Sequence, residues 1–372
     1  MPFSFKKGKI EIKSCYKITK KSLSLLYTPG VAELSKAIAK DKKRVFELTF
    51  KRNSVAVISD GSAVLGLGNL GPEAALPVME GKAALFKELG GVDAVPIVLA
   101  TQDTEEIIKA VKYISPTFGG INLEDISAPR CFEIEQRLIK ELDIPVFHDD
   151  QHGTAIIVLA GIINALKVVH KKISEVKIVL SGAGAAGIAI TKLLLKYGAK
   201  NIIVCDSQGA IYQNRKNGMN KAKEELARLT NKEKNKGSLK EVLANTDIFI
   251  GVSAPGLLDA SDIEKMNEGA IVFAMANPVP EIFPLEAKKG GAKVVVTGRS
   301  DFPNQINNVL AFPGIFRGAL DTRTRFITDK IKIKAAEAIA GLVKKPKYDR
   351  IVPEVLDKNV AKAVAGVFAS GG

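Results

Sequence analysis

Short apolar runs alternate with longer stretches of helical periodicity along most of this 372-residue chain. The short runs are rich in Val and Ile and are separated by polar or glycine-containing segments, which favours buried strands. They occupy residues 55–59, 94–99, 146–147, 176–180, 202–205, 248–250, 270–274 and 294–297. Alternation of this kind predicts an α/β fold with mainly parallel sheets covered by helices.

The longest apolar segment, residues 155–166, separates two sets of predicted strands. We predict that it belongs to a buried helix that begins after Gly153 and connects an N-terminal α/β domain to a second sheet. The boundaries expected on this basis are 1–152, 153–327 and 328–372. The last part is predicted to be a tail of two helices, because Pro346 and Pro353 break the helical pattern between them.

Composition and cysteine usage indicate a protein of the reducing cytoplasm. No apolar run reaches the ~18 residues of a membrane span, and the lysines near Met1 are not followed by an apolar signal segment. The three cysteines, Cys15, Cys131 and Cys205, form no CxxC pair. We therefore expect neither a membrane span nor a secretory signal.

The formal net charge of +14 leaves two interpretations open, a nucleic-acid-binding surface and a lysine-rich solvated surface. The lysines are spread along the chain and no basic run interleaves with aromatic residues, which favours the second interpretation. We expect no nucleic acid partner, and the charge would attract anionic substrates.

The motif Gly182-Ala183-Gly184-Ala185-Ala186-Gly187 follows a predicted strand directly and opens a helical pattern. The next strand ends at Asp206, 24 residues after Gly182, close to the ~20 expected for an acid that binds the ribose of a dinucleotide. Its glycines would let the backbone approach a pyrophosphate at the helix N-terminus. The alternative is an ordinary strand–helix turn. We predict a Rossmann-type dinucleotide-binding domain here, with a parallel sheet.

A second GxGxxG motif, from Gly66 to Gly71, fits this role less well. It begins several residues after its strand, and Pro72 and Pro77 interrupt the segment that follows. We interpret it as a structural turn that approaches the substrate.

Two acidic pairs, Glu124-Asp125 and Asp149-Asp150, follow predicted strands of the N-terminal half. Loops at the C-terminal ends of parallel strands commonly bind ligands, and oxygen-only ligands suit Mg²⁺ or Mn²⁺. The alternative is a pair of solvated loops. His148 and His152 have the spacing of a zinc helix, but a strand-to-helix corner would separate their side chains; His170 is expected to be a surface residue.

These residues and several further motifs resemble the malic enzyme family, in its short bacterial and archaeal form. The resemblance extends over residues 14–334, and its order and spacing are more specific than any single motif. The motifs are Tyr27-Thr28-Pro29-Gly30-Val31-Ala32, Ser59-Asp60-Gly61-Ser62, Gly66-Leu67-Gly68-Asn69-Leu70-Gly71, Glu80-Gly81-Lys82, Asn122-Leu123-Glu124-Asp125, His148-Asp149-Asp150-Gln151-His152-Gly153-Thr154-Ala155, Ala276-Asn277-Pro278 and Asn307-Asn308-Val309-Leu310-Ala311-Phe312-Pro313-Gly314.

The resemblance implies metal-dependent oxidative decarboxylation of (S)-malate to pyruvate and CO₂, with reduction of NAD or NADP, by a homodimer. Glu124, Asp125 and Asp150 would bind the metal. Lys82, made less basic by burial and neighbouring charge, would be the general base, with Asp149 beside it.

The resemblance also implies that Tyr27 is the general acid that protonates C3. Asn277 and one or both of Asn307 and Asn308 would hold the substrate and the nicotinamide end. Without the family pattern, Tyr27 would be interpreted as a half-buried core tyrosine and Lys82 as a solvated helix lysine.

One departure from the larger eukaryotic members concerns the substrate carboxylate. Those proteins carry an arginine just before the first glycine loop, where this chain has Ala63-Val64-Leu65. The group that binds the carboxylate is therefore open.

Two other functions compete with this one. The first is a non-catalytic dinucleotide-binding redox sensor with a basic nucleic-acid-binding region, and the second is a 2-hydroxyacid dehydrogenase that retains CO₂. The two acidic pairs, Glu124-Asp125 and Asp149-Asp150, would have no function in a redox sensor.

Asp206 predicts a preference for NAD, with NADP accepted at some cost, because an acid there accepts hydrogen bonds from the ribose and repels a 2′-phosphate. Ser207-Gln208-Gly209 offers no cation, although a loop could bring back Arg215 or Lys216.

Overall fold

The computed structural model describes residues 8–369, and these form two parallel sheets with helices on their faces. Ten strands make up the sheets, and eight of them overlap the eight predicted apolar runs, whereas the strands Gly120–Leu123 and Gly209–Ala210 were not among those runs. The strands are β1 (Ser54–Ser59), β2 (Asp93–Val98), β3 (Gly120–Leu123), β4 (Val146–His148), β5 (Lys177–Ser181), β6 (Asn201–Asp206), β7 (Gly209–Ala210), β8 (Ile248–Gly251), β9 (Ile271–Ala274) and β10 (Val294–Thr297).

Fifteen α-helices connect and cover these strands within the described residues. They are α1 (Lys20–Leu26), α2 (Val31–Lys40), α3 (Val45–Leu48), α4 (Pro72–Gly90), α5 (Thr104–Ile114), α6 (Arg130–Glu141), α7 (Asp149–Val169), α8 (Ala185–Tyr197), α9 (Lys221–Leu229), α10 (Leu239–Leu243), α11 (Ala260–Ile263), α12 (Pro284–Lys289), α13 (Phe312–Thr322), α14 (Asp329–Gly341) and α15 (Lys358–Ala369).

The first sheet has the strand order β2-β1-β3-β4, and all its pairs are parallel. β1 and β3 are completely buried because helices cover both faces. Since parallel strands end at the same edge of a sheet, the residues that follow β3 and β4 lie side by side. These residues are the two acidic pairs, Glu124-Asp125 after β3 and Asp149-Asp150 after β4.

The second sheet has the order β10-β9-β8-β5-β6-β7, and only the short β7 is antiparallel. β5 lies between β6 and β8, with Ser181 beside Cys205 and Gly251. The glycine motif therefore leaves the sheet at its centre, where the strand order changes direction and dinucleotides bind in sheets of this kind. The predicted α/β fold with a Rossmann-type domain is confirmed.

Helix α7 joins the two sheets and lies in the main apolar core. It is long and apolar enough to cross a membrane by length and composition, but 72% of its apolar window is buried inside the protein. Gly161 lets it approach the second sheet, since a Cβ there would lie 2.9 Å from the Phe273 ring. α7 is thus packed as a core helix.

The C-terminal helices pack against both halves of the chain. In α13, Phe312 lies against Phe86 of α4, with 4.6 Å between ring centroids. The α7 residue Asn164 donates hydrogen bonds to the carbonyls of Ala340 and Ile351, at 2.9 and 2.8 Å. Two helices occur in the tail, as predicted, whereas the domain boundaries themselves stay a prediction.

Two details of the predicted helices are wrong. α7 begins at Asp149 and not after Gly153, so Gly153 lies within its first turns. α4 continues through Pro77, which lies inside the helix and leaves the Glu73 carbonyl without its usual i→i−4 hydrogen-bond donor. Both errors place more of the candidate site on rigid helices than the sequence indicated.

Candidate active site

Three carboxylates meet where β3 ends and α7 begins. Glu124, Asp125 and Asp150 each offer one oxygen, and these oxygens lie within 4.8 Å of one another. Asp125 adopts a left-handed conformation with φ of 53°, and its backbone N–H donates to Asp150 Oδ2 at 2.8 Å. The backbone N–H of Asp125 thus orients the carboxylate of Asp150.

The three acids form a site that fits a cation. Burial, reinforced by the charge of Asp150, raises the pKa of Asp125 to about 7. Burial also raises the pKa of Glu124 well above its usual range, although Lys82 opposes it. Asp125 Oδ2 is buried without a hydrogen-bond donor in the described chain. Carboxylate oxygens with an unused acceptor fit a hard divalent ion such as Mg²⁺ or Mn²⁺.

Lys82 of α4 lies against this group of acids. Its ammonium donates to Glu124 Oε2 at 2.5 Å and to Asp149, and it lies 4.4 Å from the centre of the Phe312 ring. The Lys82 side chain is 8% exposed. The interpretation of Lys82 as a solvated helix lysine is therefore wrong.

The expected lowering of the Lys82 pKa is also wrong for this arrangement. Burial alone would lower it, but the carboxylates of Asp149, Glu124 and Asp150 outweigh burial and raise the pKa above its ordinary value. Lys82 is the only ammonium among these acids in the described hydrogen bonds. A divalent ion on the same carboxylates would compete with Lys82 for their charge.

Asp149 is fully buried and is held from two directions. Besides Lys82, Asn308 Nδ2 donates to Asp149 Oδ2 at 3.0 Å, and Thr154 Oγ1 donates to Asn308 Oδ1 at 3.1 Å. Burial raises the pKa of Asp149 against the influence of Lys82. In the described hydrogen bonds, Asn308 and not its neighbour Asn307 contacts Asp149 beside Lys82.

Asn307 and Asn277 lie at the edge of this region. Asn307 uses Oδ1 to accept the backbone N–H of Val309 at 3.0 Å, so it caps a 3₁₀ turn. Asn277 is exposed after β9, and a Cβ at Gly66 would lie 3.1 Å from its carbonyl oxygen. The first glycine loop thus approaches the Asn277 segment.

Glu135 of α6 supports the acids and was missed in the sequence. It is 4% exposed, and it accepts the His148 backbone N–H at 2.8 Å and Gln151 Nε2 at 3.1 Å. His152 Nε2 lies 3.0 Å from Glu135 Oε2. A signal was available, because Glu135 lies on the same helix face as the buried Cys131 and Leu138. His152 therefore contacts a carboxylate through Nε2 in this arrangement.

Tyr27 is exposed in the described chain, unlike Lys82 and Asp149. It follows α1, a helix without a buried residue, and its side chain is 69% exposed. No hydrogen bond among residues 8–369 joins its hydroxyl to the acids or to Lys82. The interpretation of Tyr27 as a half-buried core tyrosine is wrong.

The glycine motif after β5 has the shape of a phosphate-binding turn. Gly182 has φ of +114°, and a Cβ there would lie 2.5 Å from the Val252 carbonyl oxygen. A Cβ at Gly187 would lie 1.8 Å from the Gly182 carbonyl oxygen, whereas the space around Gly184 is open. Ala185 and Ala186 form the first turn of α8. A pyrophosphate fits this open helix N-terminus.

Asp206 lies beside this motif, because Gly182 N donates to the Cys205 carbonyl at 2.8 Å. Its carboxylate is held by two cations. Arg215 donates to both oxygens, and Lys223 Nζ donates to Oδ2 at 2.6 Å. Although burial opposes them, these hydrogen bonds lower the pKa of Asp206 to about 2. The segment after β6 thus brings Arg215 back to the Asp206 carboxylate, which is one of the two possibilities that the sequence left open. Lys223 was not identified from the sequence.

Comparison with known proteins agrees with this geometry. The family model "Malic enzyme, N-terminal domain" matches residues 6–106 and 100–139, and "Malic enzyme, NAD binding domain" matches residues 151–369. The chain is 58% identical over 365 residues to the bifunctional malic/malolactic enzyme of Bacillus subtilis, covering 97% of this chain and 89% of that one.

Two further relatives differ in their cofactor. The NADP-dependent malic enzyme of Rhizobium meliloti is 50% identical over 348 residues, which are 92% of this chain and 45% of that one. The crystal structure of the NAD-dependent malic enzyme of Thermotoga maritima is 50% identical, with a TM-score of 0.95 over 98% of this chain and 97% of that one. With both domain models matched and this identity over nearly its full length, the chain belongs to the malic enzyme family.

Proposed function

We infer that this chain catalyses the divalent-metal-dependent oxidative decarboxylation of (S)-malate to pyruvate and CO₂, with reduction of NAD or NADP. The single observation that carries the proposal is the position of Lys82. Its ammonium lies between Glu124 of the carboxylate trio and Asp149. The amine that would accept a proton once Lys82 has lost one is thereby placed directly beside the proposed oxygen ligands of a cation.

Two groups that we propose the chain binds would supply chemistry that its side chains lack. A Mg²⁺ or Mn²⁺ ion held by Glu124, Asp125 and Asp150 would act as a Lewis acid on the C2 oxygen and adjacent carboxylate of malate. A nicotinamide held by the Gly182–Gly187 turn would accept the hydride from C2.

The side chains of the site would move the protons. Lys82, in its neutral form, would take the proton of the C2 hydroxyl, and Asp149 would hold the resulting ammonium in place. Asn308 fixes the Asp149 carboxylate at 3.0 Å, so the base keeps its position as its charge changes. Tyr27 would donate a proton to C3 after CO₂ leaves. Asn277 and Asn307 remain candidates for contacts to the substrate and the nicotinamide.

We also propose that the chain acts as a homodimer in the cytoplasm. Support for the dimer comes from the N-terminal segment, whose helices α1 and α2 have no buried residue. Its large apolar side chains are exposed, and an exposed apolar patch of this kind is typical of an interface. They are Ile10, Ile12, Tyr16, Ile18, Leu23, Leu25, Tyr27 and Leu34.

A second copy covering this segment would also account for the position of Tyr27. An exposed tyrosine cannot protonate C3 in a site from which water is excluded. We propose that Tyr27 enters the site only in the assembled dimer, which is tested with mixed variants below.

The competing functions make different predictions in one experiment. A panel of 2-hydroxy acids is incubated with Mn²⁺ and NAD or NADP, with and without EDTA, and both cofactor reduction and CO₂ release are measured. The proposed function requires reduction and CO₂ release with malate, both abolished by EDTA. Reduction without CO₂ would indicate a hydroxyacid dehydrogenase, and cofactor binding without turnover would indicate a sensor.

A further inference from the structure

Glu281 is a completely buried acid in the second half of the chain, and no ion pair in the described part of the chain includes it. It follows the Asn277-Pro278 segment after β9, and its side chain lies against the end of β8. A Cβ at Gly251 would lie 2.3 Å from the Glu281 carboxyl carbon, so this glycine leaves the space that the carboxyl group occupies. An acid in such a position is costly unless its oxygens accept hydrogen bonds.

The two oxygens of Glu281 accept backbone N–H groups from two different loops. Oε1 accepts the Ser253 N–H at 2.9 Å in the loop after β8, and Oε2 accepts the Ala276 N–H at 3.0 Å in the loop after β9. Burial raises the pKa of Glu281, and the hydrogen bonds from Ala276 and Ser253 oppose this rise. One carboxylate therefore joins the loops that follow two neighbouring strands.

The loop after β8 contacts the start of the glycine motif. Ser253 Oγ lies 2.9 Å from the hydroxyl oxygen of Ser181, the last residue of β5. The Val252 carbonyl oxygen lies so close to Gly182 that a Cβ there would be 2.5 Å from it. A shift of this loop would therefore displace the turn that fits a pyrophosphate.

The loop after β9 carries Asn277, a candidate contact to the nicotinamide. Asn277 directly follows Ala276, so the hydrogen bond from the Ala276 N–H fixes the backbone next to it. The Asn277 side chain packs closely on the loop after β10, since a Cβ at Gly298 would lie 2.7 Å from Asn277 Nδ2. Glu281 thus connects the Asn277 segment with the glycine motif through two hydrogen bonds.

We propose that Glu281 is a positioning residue for hydride transfer. Its carboxylate holds Asn277 and the glycine motif at the separation that the bound dinucleotide requires, and its burial keeps it from touching the dinucleotide or the malate. Hydride transfer is sensitive to such alignment, because misplacement of a reacting group by about 1 Å can lower the rate about a hundredfold. The inference rests on the proposed function and adds a residue that acts behind the site.

The test compares Glu281→Gln with the loss of a buried acid from a helix cap. The glutamine keeps the size of the side chain but turns an amide NH₂ towards one of the two backbone N–H groups. The control is Asp262→Asn, because Asp262 is 2% exposed and accepts the Asp259 N–H at 3.1 Å in the cap of α11. Gly251→Ala is a second variant, which keeps the carboxylate but displaces it.

Three quantities are measured for each variant. They are the free energy of unfolding, kcat for malate oxidation with the better of NAD and NADP, and the rise in fluorescence when the reduced cofactor binds. The last quantity reports the immobilised nicotinamide without turnover. Glu281→Gln and Gly251→Ala should lower kcat about tenfold to a hundredfold and should reduce the rise in fluorescence at saturation. Asp262→Asn should keep both values, although it lowers the free energy of unfolding.

A double variant separates positioning from stability. If Glu281 acts through Asn277, then Glu281→Gln in an Asn277→Ala background should lower kcat by less than about threefold further. An unchanged kcat in Glu281→Gln, or an equal loss of kcat in both backgrounds, would overturn the inference. An equal loss of activity in Asp262→Asn at equal loss of stability would also overturn it. If Glu281→Gln does not fold, Gly251→Ala supplies the same comparison.

The proposed function and the role of Glu281 can fail separately. If the unmodified protein binds the reduced cofactor but does not oxidise malate, the proposed function is wrong, and the fluorescence comparison still tests Glu281. If malate is oxidised and Glu281→Gln retains full kcat, only the role of Glu281 is wrong. Absence of cofactor binding by the unmodified protein would overturn both.

Discussion

Gly153 faces the Asp149 carboxylate so closely that a Cβ at Gly153 would lie 1.9 Å from Asp149 Oδ1. Asp149 cannot move away, because Lys82 and Asn308 hold its other oxygen. The glycine in the first turns of α7 is thus required by the site and does not mark the start of a helix.

We predict that Gly153→Ala displaces Asp149 and lowers kcat by about a hundredfold, as expected for misplacement of a catalytic group by about 1 Å. The overpacking should also lower the free energy of unfolding by about 1–3 kcal/mol. Steady-state kinetics and denaturant unfolding measure both effects.

The control is Gly366→Ala in α15, where an added Cβ meets open space. It should keep full activity. Its free energy of unfolding should rise by about 0.5–1 kcal/mol, because alanine favours the helix. Equal activity of the two alanine variants would contradict the role given to Gly153.

The carboxylate trio predicts dependence on a divalent ion. Asp150→Asn should weaken Mn²⁺ binding by at least about tenfold, because one charged ligand becomes neutral. It should leave the fold intact, since the Asp150 side chain is 33% exposed. Calorimetric titration with Mn²⁺ and circular dichroism test the two statements. Unaltered Mn²⁺ affinity in a folded variant would show that the trio is not the metal site.

Because Glu135 accepts hydrogen bonds from residues at the start of α7, we predict that changing Glu135 lowers the free energy of unfolding. Glu135→Gln should lower the free energy of unfolding by about 1.5–3 kcal/mol at neutral pH, the range for hydrogen bonds to a charged group. Glu133→Ala on the exposed face of the same helix should change it by less than about 0.5 kcal/mol. Denaturant unfolding at several pH values is the measurement.

The pH dependence has a definite sign. Burial would raise the pKa of Glu135, but His152, His148 and Lys332 outweigh burial and lower it to about 2 from 4.5. A lowered pKa stabilises the fold above the unfolded value and loses this contribution as the pH falls through the folded value. The difference between the unmodified protein and Glu135→Gln should therefore narrow between about pH 4.5 and about pH 2. A difference that stays constant over this range would contradict an ionised Glu135.

The dimer proposal predicts complementation of pyruvate formation between two variants that are each impaired in it. Lys82→Ala should abolish malate oxidation, and Tyr27→Phe should slow pyruvate formation more than hydride transfer. If Tyr27 completes the site of the partner, a mixed dimer of the two variants contains one site with both residues. Co-refolded mixtures should then regain activity, and mixtures of each variant with itself should not. Light scattering that shows a monomer, or mixtures without regained activity, would contradict action across the dimer.

Local motifs predicted the fold well, and tertiary contacts account for what they missed. The β5–glycine–α8 unit follows from adjacent residues, as do the acids after β3 and β4, so both could be placed from the sequence. The start of α7 was misplaced because glycine usually weakens a helix, whereas Gly153 is needed for space beside Asp149.

The supporting residues were harder to predict because they come from distant positions. Lys223 reaches Asp206 from a separate helix, and nothing in the spacing of the two residues indicates an ion pair. Glu135 could have been found as an acid on an apolar helix face. The absence of nucleic acid and membrane partners stays a prediction from composition.

The stoichiometry of the reaction tests the central claim most directly. The purified protein is incubated with (S)-malate, Mn²⁺ and NAD or NADP, and reduced cofactor, pyruvate and CO₂ are measured in the same sample. The proposed function predicts that the three products form in equal amounts, that EDTA stops their formation and that added Mn²⁺ restores it. Cofactor reduction that continues after exhaustive chelation, or that yields no pyruvate, would contradict it.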